Sequence, residues 1–223
     1  MDNKKIKNIA IFLIILTLSI VSLTLAYRTD HKTKVNEFTT GKVKLSLTEE
    51  KYNLPENVKA RKDIAPNEIV VKDPKITNIG KSDAYVFIEL FMPRTNRVRI
   101  DDAGQKLPAD FRDAFLFSKN SGWLQVEREV VTLSGKEYYR YVYAYATGDK
   151  STGTMTALKK GKSTSTLFLN DELQHRNFIE VEEKITYDIP VTAYAIQTTN
   201  LKSSYPVNVW ELVKAQVKSE GGR

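Results

Sequence analysis

The side chains that could do covalent chemistry are few and poorly spaced for catalysis. The 223-residue chain contains no cysteine, which excludes disulfides, thiolate catalysis and zinc ribbons. It has two histidines, His31 and His175, with neither in an HExxH arrangement, whereas single-chain zinc hydrolases usually need two or three histidine ligands. No glycine loop suited to phosphate is present, and Asp101-Asp102 and Glu180-Glu182-Glu183 lack a calcium-loop pattern. Expected catalytic residues, cofactors and bound metals are therefore none.

Two other groups remain. Lysine is abundant, and in a chain without cysteine a lysine amide could replace a disulfide crosslink. Lys32, Lys34, Lys42 and Lys44 are candidate participants, with Glu89, set in an apolar run, as the acid that would serve a buried amine. Tyr139, Tyr141, Tyr143 and Tyr145 recur at every second residue, so on a strand they share one face. That face reads either as cross-strand packing or as an aromatic platform for a polysaccharide or partner subunit.

The elements that must position these residues are mostly strands. Val43, Leu45 and Leu47 alternate with polar residues, as in a half-buried strand. A charged loop from Glu49 to Lys62 follows. Ile69-Val70-Val71 and Ile76-Thr77 flank a break at Asp73-Pro74, and Asn78 to Ser82 is a turn. Ala84 to Met92 is apolar on both faces apart from Glu89, which predicts a central strand ended by Pro93. Phe115-Leu116-Phe117, Trp123 to Val131 and Tyr138 to Tyr145 are further strands, the last two joined at Ser134-Gly135. Gly148 to Lys162 reads as an exposed loop, after which Leu167-Phe168-Leu169 resumes strand character. Phe178 to Tyr187 fits strand or helix, and Ile189 to Gln197 a buried strand. Val209, Leu212, Val213, Gln216 and Val217 fall at helical spacing after Pro206. Many short strands with little helix predict a mainly β protein, a jelly-roll-like β-sandwich with a C-terminal helix.

The N-terminus predicts export. Lys4, Lys5 and Lys7 precede an apolar run from Ile9 to Leu25 that ends at Ala26, the order of a secretory signal. The run is marginal for a retained anchor, because a spanning helix wants about 20 apolar residues. Residues 1–26 are read as the signal peptide, cut between Ala26 and Tyr27. Residues 27–41 form a separate N-terminal segment, and 42–223 the sandwich domain. The formal charge of the whole chain is +7. Mixed in sign and without a nucleic-acid motif, it suits a soluble surface attracted to anionic polymers.

Leu23-Thr24-Leu25-Ala26-Tyr27-Arg28-Thr29-Asp30, then Asn36-Glu37-Phe38-Thr39-Thr40-Gly41-Lys42-Val43, resembles the alternate-signal exported proteins of Gram-positive bacteria. These are the TasA-like and camelysin-like proteins processed by a SipW-type signal peptidase, and Arg28 replaces their usual aromatic. Lys72 to Gly80 with Ala84 to Ile88, and Ala193 to Gln197 with Trp210, resemble later blocks of the same family. The resemblance implies a jelly-roll subunit of extracellular biofilm-matrix fibres. In such fibres the mature N-terminal segment pairs as a donor strand with the next subunit, head to tail.

Tyr27, Thr29, Thr33, Val35 and Phe38 would be the donor residues here and Gly41 the hinge. The expected partners are further copies of the chain, the signal peptidase, a minor assembly or anchoring protein and matrix polysaccharide. Nucleic acid is not among them. The expected location is the cell surface and extracellular matrix. The alternatives are a monomeric adhesin or spore-coat module, and the metalloprotease label that some camelysin-like relatives carry.

Overall fold

The computed structural model describes residues 43–60, 64–101, 103–150, 152–179 and 186–220. The signal peptide, the segment 27–41 with its donor residues and Gly41, and His31, Lys32, Lys34 and Lys42 lie outside these residues.

The fold grows from one long strand. Residues 84 to 92 bury side chains on both faces, as predicted, but the strand does not stop at Pro93 (β4, Ala84–Ile100). Pro93 sits where the partner changes. Before it, β4 pairs antiparallel with β8 (Lys136–Thr147), the last matched pair being Pro93 and Tyr138; after it, β4 pairs with β5 (Lys106–Asp113). A proline is tolerated there because the ladder is already switching. On its other side β4 pairs with β11 (Val191–Gln197), and β8 pairs onward with β7 (Trp123–Leu133) through the two-residue turn Ser134-Gly135. Both turn residues have positive φ, 49° and 78°, which matches the right-handed twist of the flanking strands. The first sheet thus runs β11-β4-β8-β7.

A second layer assembles around the broken strand of residues 69–78. It comprises β2 (Ile69–Val71) and β3 (Lys75–Asn78), separated at Asp73-Pro74 as expected. β1 (Leu45–Thr48) pairs with β3 on one side. On the other side run residues 163–175, ending in β10 (Glu172–His175), which pairs in turn with β6 (Phe115–Leu116). Leu167 to Leu169 is not a regular strand, because the chain bends at Asn170 and Asp171, both at positive φ. A short β9 (Thr154–Met155) interrupts the expected 148–162 loop, and α1 (Pro55–Ala60) forms within the 49–62 loop.

The architecture is mainly β and consistent with a β-sandwich. Val86, Ile88, Leu90 and Met92 of β4 pack with Ile76, Phe115, Leu167, Phe168 and Leu173 in the first core. The Trp123 indole N–H donates to the carbonyls of Ser165 and Thr166 at 3.2 and 3.1 Å. The opposite face of β4, β8 and β11, with Phe87, Val142, Tyr194 and Ile196, is covered by α2 (Pro206–Glu220) through Val209, Trp210 and Val213. Leu212, predicted on the buried stripe, is exposed, and Trp210 takes its place. Neither described helix is long and apolar enough to cross a membrane.

Candidate functional site

The four tyrosines do share a face, and it looks inward. Tyr139, Tyr141 and Tyr143 are only 8, 6 and 3 % exposed, and Tyr145 packs against the same core. Tyr141 stacks on Tyr143 at 6.0 Å, Phe117 meets Tyr141 edge-on at 5.7 Å, and Trp123 meets Tyr145 at 5.3 Å. This is the packing alternative, and an exposed polysaccharide platform is corrected. The row carries two polar contacts: the Tyr139 hydroxyl donates to the Phe111 carbonyl at 3.1 Å, and the Tyr141 hydroxyl donates to Asp113 Oδ1 at 2.8 Å and accepts from Arg128 Nε at 3.0 Å. Burial pushes the Asp113 carboxyl above its ordinary range, against the opposing pull of Tyr141, Arg128 and Arg176. Arg128 also lies over the Tyr139 ring at 4.0 Å, closing the row at its end.

Glu89 is buried, as expected, at 6 % exposure, but its partner is not a lysine. Arg140 Nε donates to Glu89 Oε1 at 2.5 Å, and the Tyr194 hydroxyl donates to Oε2 at 2.7 Å. Both Glu89 oxygens are thus engaged by a guanidinium and a phenol, not by the lysine amine expected from the sequence. Arg140 Nη1 also reaches Glu129 at 2.6 Å and Glu127 at 3.3 Å, and Lys214 of α2 reaches Glu127 at 3.4 Å. The Trp210 indole N–H donates to Glu127. Burial raises the Glu127 carboxyl, but that bond and the charges of Arg140 and Lys214 outweigh it and hold it below the ordinary value. The network ties the C-terminal helix to the sheet.

The buried lysine that the sequence did not reveal is Lys72, 2 % exposed. Its Nζ lies 2.8 Å from Glu49 Oε1 and 4.3 Å from the Tyr52 ring centroid. Both Asp73 oxygens accept backbone N–H groups, from Lys51 and Tyr52, at 2.9 Å. Together they fasten the segment after β1 to the broken strand. Only the breaker Asp73-Pro74 marked the place in sequence. Lys44, the one crosslink candidate lysine within the described residues, is exposed at the start of β1.

His175 packs among Phe115, Phe178 and Tyr187 at 5.3 to 5.9 Å, with Nδ1 3.2 Å from the Ala65 carbonyl. Among the described residues, no three His, Cys, Asp or Glu side chains group to hold a metal.

The sheets also present backbone edges. Among the described residues, β1 ends one side of the second layer and packs beside β11, which ends the first sheet. On the other flank, residues 115–120 turn through an Asn120 carbonyl to Trp123 N–H bond (3.1 Å) into β7. Among the described residues no other strand pairs with the outer edge of β7. The ladder from β7 to β8 carries a bulge between Gln125 and Glu127, and Val130 and Leu133 further along β7 are exposed. Open edges of this kind can accept an added strand.

No family model, no curated protein and no solved structure matches the chain.

Proposed function

We propose that the chain is an exported structural subunit of extracellular biofilm-matrix fibres, cleaved after Ala26 and polymerised head to tail by its N-terminal strand. The observation that carries the reading is the chain's entry into the sandwich. Residues 27–40 contain no proline or glycine and lead through Gly41 to β1, an edge strand among the described residues. A segment of that composition is able to pair outside its own domain, with Val35 and Phe38 as apolar anchors. The β7 flank supplies a second, different edge. A donor on one surface and an acceptor on another make a heterologous contact, which propagates rather than closes. The resemblance of the N-terminal junction to TasA-like proteins supports the same reading. The reading assigns the chain no catalytic role.

The test compares protein beginning at Tyr27 with protein beginning at Lys42, by negative-stain microscopy and size analysis. Fibres from the first and monomers from the second are expected. Monomers from both, across pH, salt and concentration, would overturn autonomous assembly. A ladder surviving boiling in SDS would add a covalent link between subunits.

A further inference from the structure

The carbohydrate partner expected from the tyrosines loses its platform once they are buried, but another surface has the chemistry for it. Two tight turns meet at one end of the second layer, pinned by Asn78, which is fully buried. Its Nδ2 donates to the carbonyls of Ser82 and Leu158, each at 2.9 Å, and its Oδ1 accepts the Gly80 N–H at 3.0 Å. Its backbone completes the link, with Asn78 N–H donating to Lys162 O at 3.0 Å and Gly161 N–H to Asn78 O at 2.8 Å. The second turn closes through Lys162 N–H to Lys159 O at 3.0 Å, with Gly161 at φ 71°. The start of β1 joins them, because Ile79 N–H donates to Lys44 O at 2.9 Å.

These three segments present Lys44, Lys81, Lys159, Lys160 and Lys162, all exposed. The single carboxylate within residues 43–48, 76–84 and 158–165 is Asp83, which pairs with Lys159 at 2.6 Å. Lys81, Lys160 and Lys162 have no ion pair among the described residues. From Val43 onward the chain holds 27 basic and 24 acidic residues. The local excess of four charges therefore exceeds the net charge of that whole region. Beside the lysines runs a row of hydroxyls across β1, β3 and the isolated bridge at Ser163, with Ser46 opposite Thr77 and Thr77 opposite Ser163, the last two bonded at 2.7 Å.

We propose that this lysine pole binds an acidic polysaccharide, its lysines taking the carboxylates and its hydroxyl row the sugar hydroxyls. The three segments contain no arginine and no aromatic residue. Stacking of nucleobases has no platform there, and bidentate phosphate recognition has no guanidinium. Lysine's mobile point charge suits carboxylates spaced along a flexible polymer. Asn78 fixes the turns that carry the lysines, so the charge cluster is built into the fold. The inference does not depend on whether the subunits polymerise.

The experiment measures binding of the purified protein to polygalacturonate, with neutral dextran, polyphosphate and single-stranded oligothymidylate as competing probes. Lys81, Lys159, Lys160 and Lys162 are changed together to Gln, beside a control in which the exposed Lys59, Lys106, Lys150 and Lys218 are changed to Gln. Circular dichroism and thermal melting check that both variants fold. Expected is salt-sensitive binding to polygalacturonate that weakens about tenfold or more in the pole variant and under about threefold in the control. Equal losses in both variants, no binding by the parent protein, equal binding of dextran, or tighter binding of polyphosphate or DNA would each overturn the proposal.

Discussion

Strand β8 has two faces that solve burial in opposite ways. One carries Tyr139, Tyr141 and Tyr143 into the sandwich, where rings fill the space and a single hydroxyl–carboxyl pair, Tyr141–Asp113, is enclosed. The other carries Arg140 toward α2, where Glu89, Glu127 and Glu129 surround one guanidinium. The first face is held mainly by packing, with hydroxyl bonds from Tyr139 to the Phe111 carbonyl and from Tyr141 to Asp113. The second is held by charges whose removal leaves others buried. The contrast teaches that an alternating strand does not announce which of its faces meets solvent, since here neither does.

The contrast breaks most visibly at Arg140. Arg140→Leu leaves Glu89 buried with only Tyr194, and should cost about 3–5 kcal/mol, read from urea unfolding. A cost below about 1 kcal/mol would show that the network is incidental to stability. On the tyrosine face, Tyr141→Phe strands Asp113 and should cost about 1–3 kcal/mol, whereas Tyr143→Phe, which loses no hydrogen bond, should stay within about 0.5 kcal/mol. Equal costs would erase the distinction between the two positions.

The smallest effect concerns sign. Asp113 binds its proton more tightly when folded than when unfolded. Its contribution is therefore most favourable below the ordinary carboxylate range and declines as pH rises through its raised folded value. Glu127 does the reverse, stabilising above its unfolded value and losing that contribution as pH falls through its lowered folded value. Side-chain carboxyl NMR titration should find the two displaced in opposite directions. Displacement in the same direction would contradict the environments described.

Much of this was legible in sequence where periodicity or turn chemistry acts locally. The alternation at Val43, Leu45 and Leu47, the break at Asp73-Pro74, the Ser134-Gly135 hairpin and the C-terminal helix all rest on neighbours within a few residues. β5 escaped because Lys106 to Asp113 has no buried stripe, and its strand conformation comes from pairing with β4. Pro93 misled because a proline's effect depends on which partner needs its N–H. Glu89 was read correctly as buried, but its partner Arg140 lies 51 positions away, and only the sheet register brings them together. The lysine pole is likewise assembled from three distant segments, by the Asn78 side chain to Leu158 and by the backbone bond from Ile79 to Lys44.

Strand donation can be tested by complementation in trans. A peptide of residues 27–41 is added to protein beginning at Lys42, and thermal unfolding is followed against peptide concentration. The account predicts a saturable rise in melting temperature, about 2.7 kcal/mol of added stability at a hundredfold excess over the dissociation constant, with none from a scrambled peptide. No rise at millimolar peptide, or the same rise from both peptides, would contradict it.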